Sequence, residues 1–162
     1  MTEFGSESIR TSRLRLKLQS VDDVQEMLKG FPPEVRCEIS ADWISLVQNA
    51  TEPSPWIHGF TVHEGDDENS IGNFGFKGLP NDQGEVEIAY AINESHQNRG
   101  YATEAAAALT KFALAQDGVQ TVIAHTLPNE SASTRVLEKC GYQCLGEAED
   151  PDDGKVWRWT IG

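Results

Sequence analysis

The chain has 162 residues, 38% of them apolar and spread in short blocks, enough for one domain (1–162) with a buried core and no staples. Its 26 acids against 13 bases give a formal charge of −13, which disfavours nucleic acid and anionic lipid as partners and favours basic or neutral ones, or serves solubility alone. No apolar run approaches the length of a membrane span, and the polar stretch Met1 to Arg10 lacks a signal-peptide core, so a cytoplasmic location is expected.

Arg13-Leu14-Arg15-Leu16-Lys17-Leu18 alternates strictly and predicts a half-buried strand. Ser20, with Asp23 three residues on, predicts the start of a short helix that places Val21, Val24, Met27 and Leu28 on one face and ends at Gly30 and Pro32-Pro33. A second helix is expected from Ser40 to Ala50, with Trp43, Val47 and Ala50 on one face. Strands from Trp56 to His63, Ser70 to Leu79 and Glu85 to Ile92 are joined by turns rich in Gly, Asp and Asn, which predicts an antiparallel meander. In the third of these, Val86, Ile88, Tyr90 and Ile92 face one way, and Glu85, Glu87, Ala89 and Ala91 face the other, forming an open trough.

The longest helix is expected from Tyr101 to about Gln116, buried along Ala102, Ala105, Leu109, Phe112 and Ala113 and stopped by Gly118. A strand from Val119 to Thr126, a helix from Ser131 to Cys140 and strands Tyr142 to Gly146 and Val156 to Ile161 complete the chain. The strand–helix–strand unit from Glu85 to Thr126 demands a parallel crossover, so the class is mixed α/β.

The segment His96-Gln97-Asn98-Arg99-Gly100-Tyr101-Ala102-Thr103-Glu104-Ala105 lies between a strand and the long helix. A helix start offers backbone N–H groups without intrahelical partners, with the positive end of the dipole behind them, and so suits a phosphate. Gly100 and Ala102 keep side chains out of the way, and Arg99 adds the positive charge that the surface lacks.

Gln97, Gly100 and Ala102 resemble the pyrophosphate-binding arm of the GNAT superfamily of N-acetyltransferases. Val86-Glu87-Ile88-Ala89-Tyr90 is similar to the strand that precedes that arm. Thr126-Leu127-Pro128 and Ser133 to Tyr142 are similar to its later strand–helix–strand. The opening Thr11-Ser12-Arg13-Leu14-Arg15-Leu16 resembles the branch that includes the ribosomal-protein N-terminal acetyltransferases. The resemblance implies a mostly antiparallel central sheet whose fourth and fifth strands splay apart, flanked by about four helices. It implies acetyl-coenzyme A as co-substrate, with no metal, no covalent enzyme intermediate and an amine as acceptor, a small molecule or a protein N-terminus. A homodimer is common among such proteins. Ile92, Gln97, Asn98, Arg99, Gly100, Tyr101, Ala102, Thr103 and Ser131 are the cofactor-binding candidates.

Transfer to an alkylamine requires removal of a proton, because its ammonium, with a pKa near roughly 8 to 10, dominates at neutral pH. Glu87 is the candidate base, through a water, or a carboxylate that holds the substrate; Glu85 is expected to face solvent. A thiolate leaves well enough that a strong acid is helpful rather than essential. Leu137 stands where many members carry a tyrosine, and Ser133 is the candidate to hydrogen-bond the sulfur, or else a first-turn serine that satisfies the helix start. Asn98 and Ala89 stand in place of glycines, and Ser131 in place of an asparagine. Arg135 and Lys139 form either a basic edge for the adenosine phosphate or a solvated face. His125 ends the strand opposite Glu87 and is a candidate for the acceptor site, while His58, His63 and His96 lack metal-ligand spacing. Trp43 is expected in the core or the acceptor pocket, Trp56, Phe74 and Phe76 in the core, and Cys37, Cys140 and Cys144 as reduced, partly buried thiols.

Two other readings stand beside the enzyme: an acyl-coenzyme-A-binding regulatory module without turnover, and a nucleotide-binding protein, the latter weakened because no Walker lysine follows the glycine.

Overall fold

The structure, a computed structural model, describes residues 3–4, 8–37, 39, 41–150 and 154–162. Their strands form one nine-stranded mixed sheet. Its order is β1 (Glu3–Phe4), β2 (Ser8–Arg10), β3 (Leu14–Leu18), β4 (Phe60–Glu64), β5 (Ser70–Phe76), β6 (Glu85–Ile92), β7 (Thr121–Thr126), β9 (Gly154–Ile161) and β8 (Gln143–Asp150). The helices are α1 (Val21–Gly30), α2 (Pro33–Arg36), α3 (Ala41–Asn49), α4 (Tyr101–Leu114) and α5 (Ala132–Lys139). The expected start of α3 at Ser40 falls outside the described residues.

Most expected elements form where the pattern places them, and the differences have local causes. Strands β1 and β2 are too short to carry a periodic signal, and the one-turn α2 begins on the second proline of a pair that reads as a stop. Strand β4 begins at Phe60 rather than Trp56 because residues 54–58 close into a turn. There the N–H groups of Ile57 and His58 donate to the Ser54 carbonyl at 3.1 and 2.8 Å, and Ser54 N–H donates to His58 Nδ1 at 2.9 Å. Strand β8 continues past Gly146, where a register shift against β9 and a φ of 95° absorb the extra residue as a bulge.

The sheet's main apolar face carries Leu14, Leu16, Phe60, Val62, Phe74, Phe76, Val86, Ile88, Val122 and Ala124, and packs with Ala105, Ala108, Leu109 and Ala113 of α4. The alanines let α4 lie close, so that its first turn meets the end of β6. A smaller cluster of Val24, Leu28 and Val47 joins α1 and α3, with Trp43 beside it donating to the Ile57 carbonyl at 2.8 Å.

The feature that positions the site is the seam between β6 and β7. All neighbouring pairs in the sheet are antiparallel except this one. It covers only Glu85↔Thr121, Val86↔Val122 and Glu87↔Ile123. On its other side β6 stays paired with β5 from Ile88↔Phe76 through Ile92↔Gly72. Beyond Glu87, therefore, β6 has a partner on one side only, and the strands counted as fourth and fifth in the sequence splay apart. Lys77 N–H donates to the Glu87 carbonyl and Asn93 N–H to the Ile71 carbonyl, so odd-numbered residues turn their backbone to β5. By alternation Ile88, Tyr90 and Ile92 turn theirs toward the gap.

Candidate active site

After β6 the chain makes a 3₁₀ turn over Glu94–His96 and then bends sharply into α4. Two residues adopt left-handed backbone here, Asn98 (φ 64°) and Gly100 (φ 79°), the N-cap of α4. Asparagine is among the few residues that tolerate this region, which explains how Asn98 replaces a glycine. The bend turns a run of amides outward. Among the described residues, the N–H groups of Asn98 to Thr103 have no protein acceptor, and Gly100 supplies no side-chain cap.

The bend is held from beneath by residues distant in sequence. Arg13 Nε donates to Glu104 Oε1 at 2.7 Å, and its backbone N–H donates to Glu104 Oε2 at 3.0 Å. Arg13 Nη1 reaches the Arg99 carbonyl at 3.0 Å, and the guanidinium lies 4.7 Å from the centre of the Tyr101 ring. Thr11 Oγ1 donates a further bond to Glu104. Burial pushes the Glu104 carboxyl up, but bonds from Thr11 and Arg13 together with the Arg13 charge outweigh it and leave the carboxyl below its ordinary value. From β4, Glu64 accepts from Tyr101 Oη at 2.7 Å and lies 3.0 Å from His96 Nε2. A Cβ added at Gly100 would come within 3.3 Å of Arg13 Nη2.

Against this bend lies a cleft of about 500 Å³ between the end of β6, the start of α4 and α5. Of the candidates named from sequence, Ile92, Gln97, Asn98, Gly100, Tyr101, Ala102, Thr103 and Ser133 line it, as do Arg135 and Lys139. Gln97 Nε2 also donates to the Ile92 carbonyl at 3.0 Å, fastening the bend to the strand. Arg99 and Ser131 do not line the cleft. Arg99 contributes its carbonyl to Arg13, and Ser131 is the N-cap of α5: its Oγ accepts from Thr134 N–H at 3.4 Å while Thr134 Oγ1 accepts from Ser131 N–H at 2.9 Å. The helix start is thus satisfied by Ser131, and Ser133 is left to face the cleft.

Leu137 is buried in the core at 1% exposure, so no polar group reaches the cleft from that position. Tyr90 lines the cleft instead. Its ring stacks on Phe74 at 4.9 Å, its hydroxyl donates to the Ser133 carbonyl at 3.5 Å, and burial pushes its pKa up to about 12. Sequence alternation put Tyr90 on the inner face of β6, yet it gave no sign of this hydroxyl or of His96 and Glu64. Burial likewise raises the Cys140 thiol to about 11, which removes it as a nucleophile at neutral pH, and Cys37 and Cys144 are exposed rather than partly buried.

Glu87 does not line the cleft. It projects from the opposite face of the sheet, at the point where β6 and β7 part. Its Oε2 lies 2.9 Å from Lys77 Nζ and 3.2 Å from His125 Nδ1, and the Glu87 and His125 side chains are only 17% and 13% exposed. Glu85 is not free in solvent; its Oε2 accepts from Arg158 Nη2 at 2.9 Å. The sequence placed His125 opposite Glu87, and the structure brings the two together. Among the described residues no cluster of three or more His, Cys, Asp or Glu is placed to hold a metal ion, and no helix is long and apolar enough to cross a membrane.

Residues 12–143 match the family model described as an acetyltransferase (GNAT) domain. The chain is 36% identical over 152 residues to the N-acetyltransferase YjdG of Bacillus subtilis (strain 168), covering 83% of this chain and 88% of that one. Among solved structures, a GNAT-family acetyltransferase from Bacillus anthracis superposes with a TM-score of 0.66 at 20% identity, covering 95% of this chain and 97% of that chain. RimL, a ribosomal L7/L12 alpha-N-protein acetyltransferase solved with coenzyme A, superposes with a TM-score of 0.68 at 15% identity, covering 96% of this chain and 97% of that chain. The match over residues 12–143 and the relative at 36% identity show that the chain belongs to the GNAT acetyltransferases.

Proposed function

We propose that this chain, acting as a single N-acetyltransferase domain, moves the acetyl group of acetyl-coenzyme A directly to a primary amine. The observation that carries the reading is the run of acceptor-free amides from Asn98 to Thr103 at the head of a cleft that leads to the gap in the sheet. Those amides and the dipole of α4 would hold the diphosphate, with Arg135 and Lys139 adding positive charge at the rim. The backbone of Ile88, Tyr90 and Ile92 would hydrogen-bond the pantetheine amides, as an added strand would. When bound, acetyl-coenzyme A supplies a thioester activated for attack. Ser133 would donate a hydrogen bond near the sulfur, and Glu87 would serve the amine across the sheet. The net charge of −13 favours a cationic acceptor, a small molecule or a protein N-terminus, and the protein would work as a homodimer.

Calorimetric titration with acetyl-coenzyme A, followed by thiol release over spermidine, kanamycin and a peptide with a free N-terminal serine, tests this. Saturable binding with release over at least one amine is expected; absence of cofactor binding would rule the reading out. The buried Leu137, in place of a hydroxyl, favours a second reading, a cofactor-binding module without turnover. Binding without release over any amine would support that one.

A further inference from the structure

We propose that Arg13 is a positioning residue for the cofactor: it cancels the charge that Glu104 places under the amide-lined bend, so that the bend can accept a diphosphate. This rests on the acetyl-transfer reading above. Glu104 lies in the first turn of α4, the same turn whose acceptor-free amides are proposed to face the phosphates. A carboxylate there ordinarily suits a helix, because it meets the positive end of the dipole. Here a diphosphate would claim that same end, and two anions drawn to one helix start repel each other.

Water does little to hide the carboxylate, whose side chain is 19% exposed. Its charge is met from behind the bend. Arg13 Nε donates to it at 2.7 Å, the Arg13 backbone N–H at 3.0 Å, and Thr11 Oγ1 donates as well. Of these donors only the guanidinium carries a full charge. The second carboxylate under the bend, Glu64, is met by Tyr101 Oη at 2.7 Å and lies 3.0 Å from His96 Nε2.

The same guanidinium also sets a peptide. Arg13 Nη1 donates to the Arg99 carbonyl at 3.0 Å and so draws that oxygen beneath the bend. In a planar trans peptide the next N–H points the opposite way, so Gly100 N–H is turned outward. Arg13 Nη2 lies 3.3 Å from where a Cβ at Gly100 would stand, which keeps the bend seated on the guanidinium. A lysine could supply the charge but not the fork that reaches both partners.

A pair that only braced the bend would weaken binding alike when either partner was removed. Charge cancellation is asymmetric. Without Arg13 a poorly screened carboxylate faces the phosphates, whereas without Glu104 an uncompensated cation does. Calorimetric titration of acetyl-coenzyme A into the parent, Arg13→Gln, Glu104→Gln and the double variant tells these apart. Arg13→Gln should weaken affinity by about 30- to 100-fold and Glu104→Gln by about tenfold or less. The double variant should bind about threefold or more tighter than Arg13→Gln alone. Equal losses in the two single variants, or a double variant no tighter than Arg13→Gln, would overturn the inference and leave the cofactor reading intact. Absence of binding to the parent would sink both. The salt dependence of affinity gives an answer even where Arg13→Gln does not fold. Glu104→Gln, with its cation uncompensated, should lose affinity more steeply with added salt than the parent does; an unchanged slope would refute the proposal.

Discussion

The two faces of the seam are built from different materials. On the cleft side the groups proposed to hold the cofactor are backbone amides from one contiguous segment, fixed by a left-handed Gly100 and the start of α4. On the other side the groups are side chains from three segments, Lys77, Glu87 and His125, gathered by strand register. A backbone site tolerates changes in side chains that keep the bend, whereas a side-chain site fails with any one member. On the proposed reading, affinity for the cofactor rests mainly on the first face and proton removal from the amine on the second, so the two should be separable.

The sharpest way to break the separation is at Glu87. Glu87→Gln should lower kcat by about 10- to 100-fold while calorimetry finds acetyl-coenzyme A affinity within about threefold. A large loss of affinity would show that the two faces act as one. Gly100→Val should do the reverse. A β-branched residue at φ 79° costs roughly 1–2 kcal/mol or more and its Cβ crowds Arg13, so affinity should fall by about 10- to 100-fold, with kcat at saturation changed far less.

Glu104→Gln tests the support beneath the bend. Losing a charge-assisted contact to Arg13 should cost about 1.5–3 kcal/mol in denaturant titrations, an upper range given that Arg13 is half exposed, and should weaken cofactor binding about tenfold or less. The Glu104 carboxyl is held below its ordinary value, so its contribution is present above the usual carboxylate range and is lost only as pH falls through the depressed value. His58 gives the smallest effect and a control remote from both faces. Burial lowers its pKa, so below the ordinary histidine value the unfolded chain takes up a proton that the folded chain refuses. Stability should therefore fall as pH drops below about 6.5, and the slope should flatten in His58→Gln when melting is followed by circular dichroism.

The same contrast explains what could be read from sequence. The bend was legible because Gln97, Gly100 and Ala102 are neighbours in the chain and their chemistry is local. So were the strand faces of β6 and the small-residue stripe of α4, which need only a period of two or 3.6 residues. The Arg13–Glu104 clamp spans 91 positions and has no local signature, although each partner sits in a recognisable stretch. Lys77 was invisible as a neighbour of Glu87 because the hairpin register that joins them is set by the turn between β5 and β6. Two polar residues in one helix start also left their roles undecided until geometry made Ser131 the cap and turned Ser133 to the cleft.

The three-position seam between β6 and β7 carries a dynamic signature of its own. Past Glu87, adjacent amides of one strand live in different surroundings: those of Ala89 and Ala91 are locked into a ladder, while those of Tyr90 and Ile92 open toward the gap. Deuterium uptake along the four residues from Ala89 to Ile92 should therefore alternate, slow and fast, like a comb with every second tooth missing. A molecule that fills the opening would restore the missing teeth, and the comb would report its arrival residue by residue.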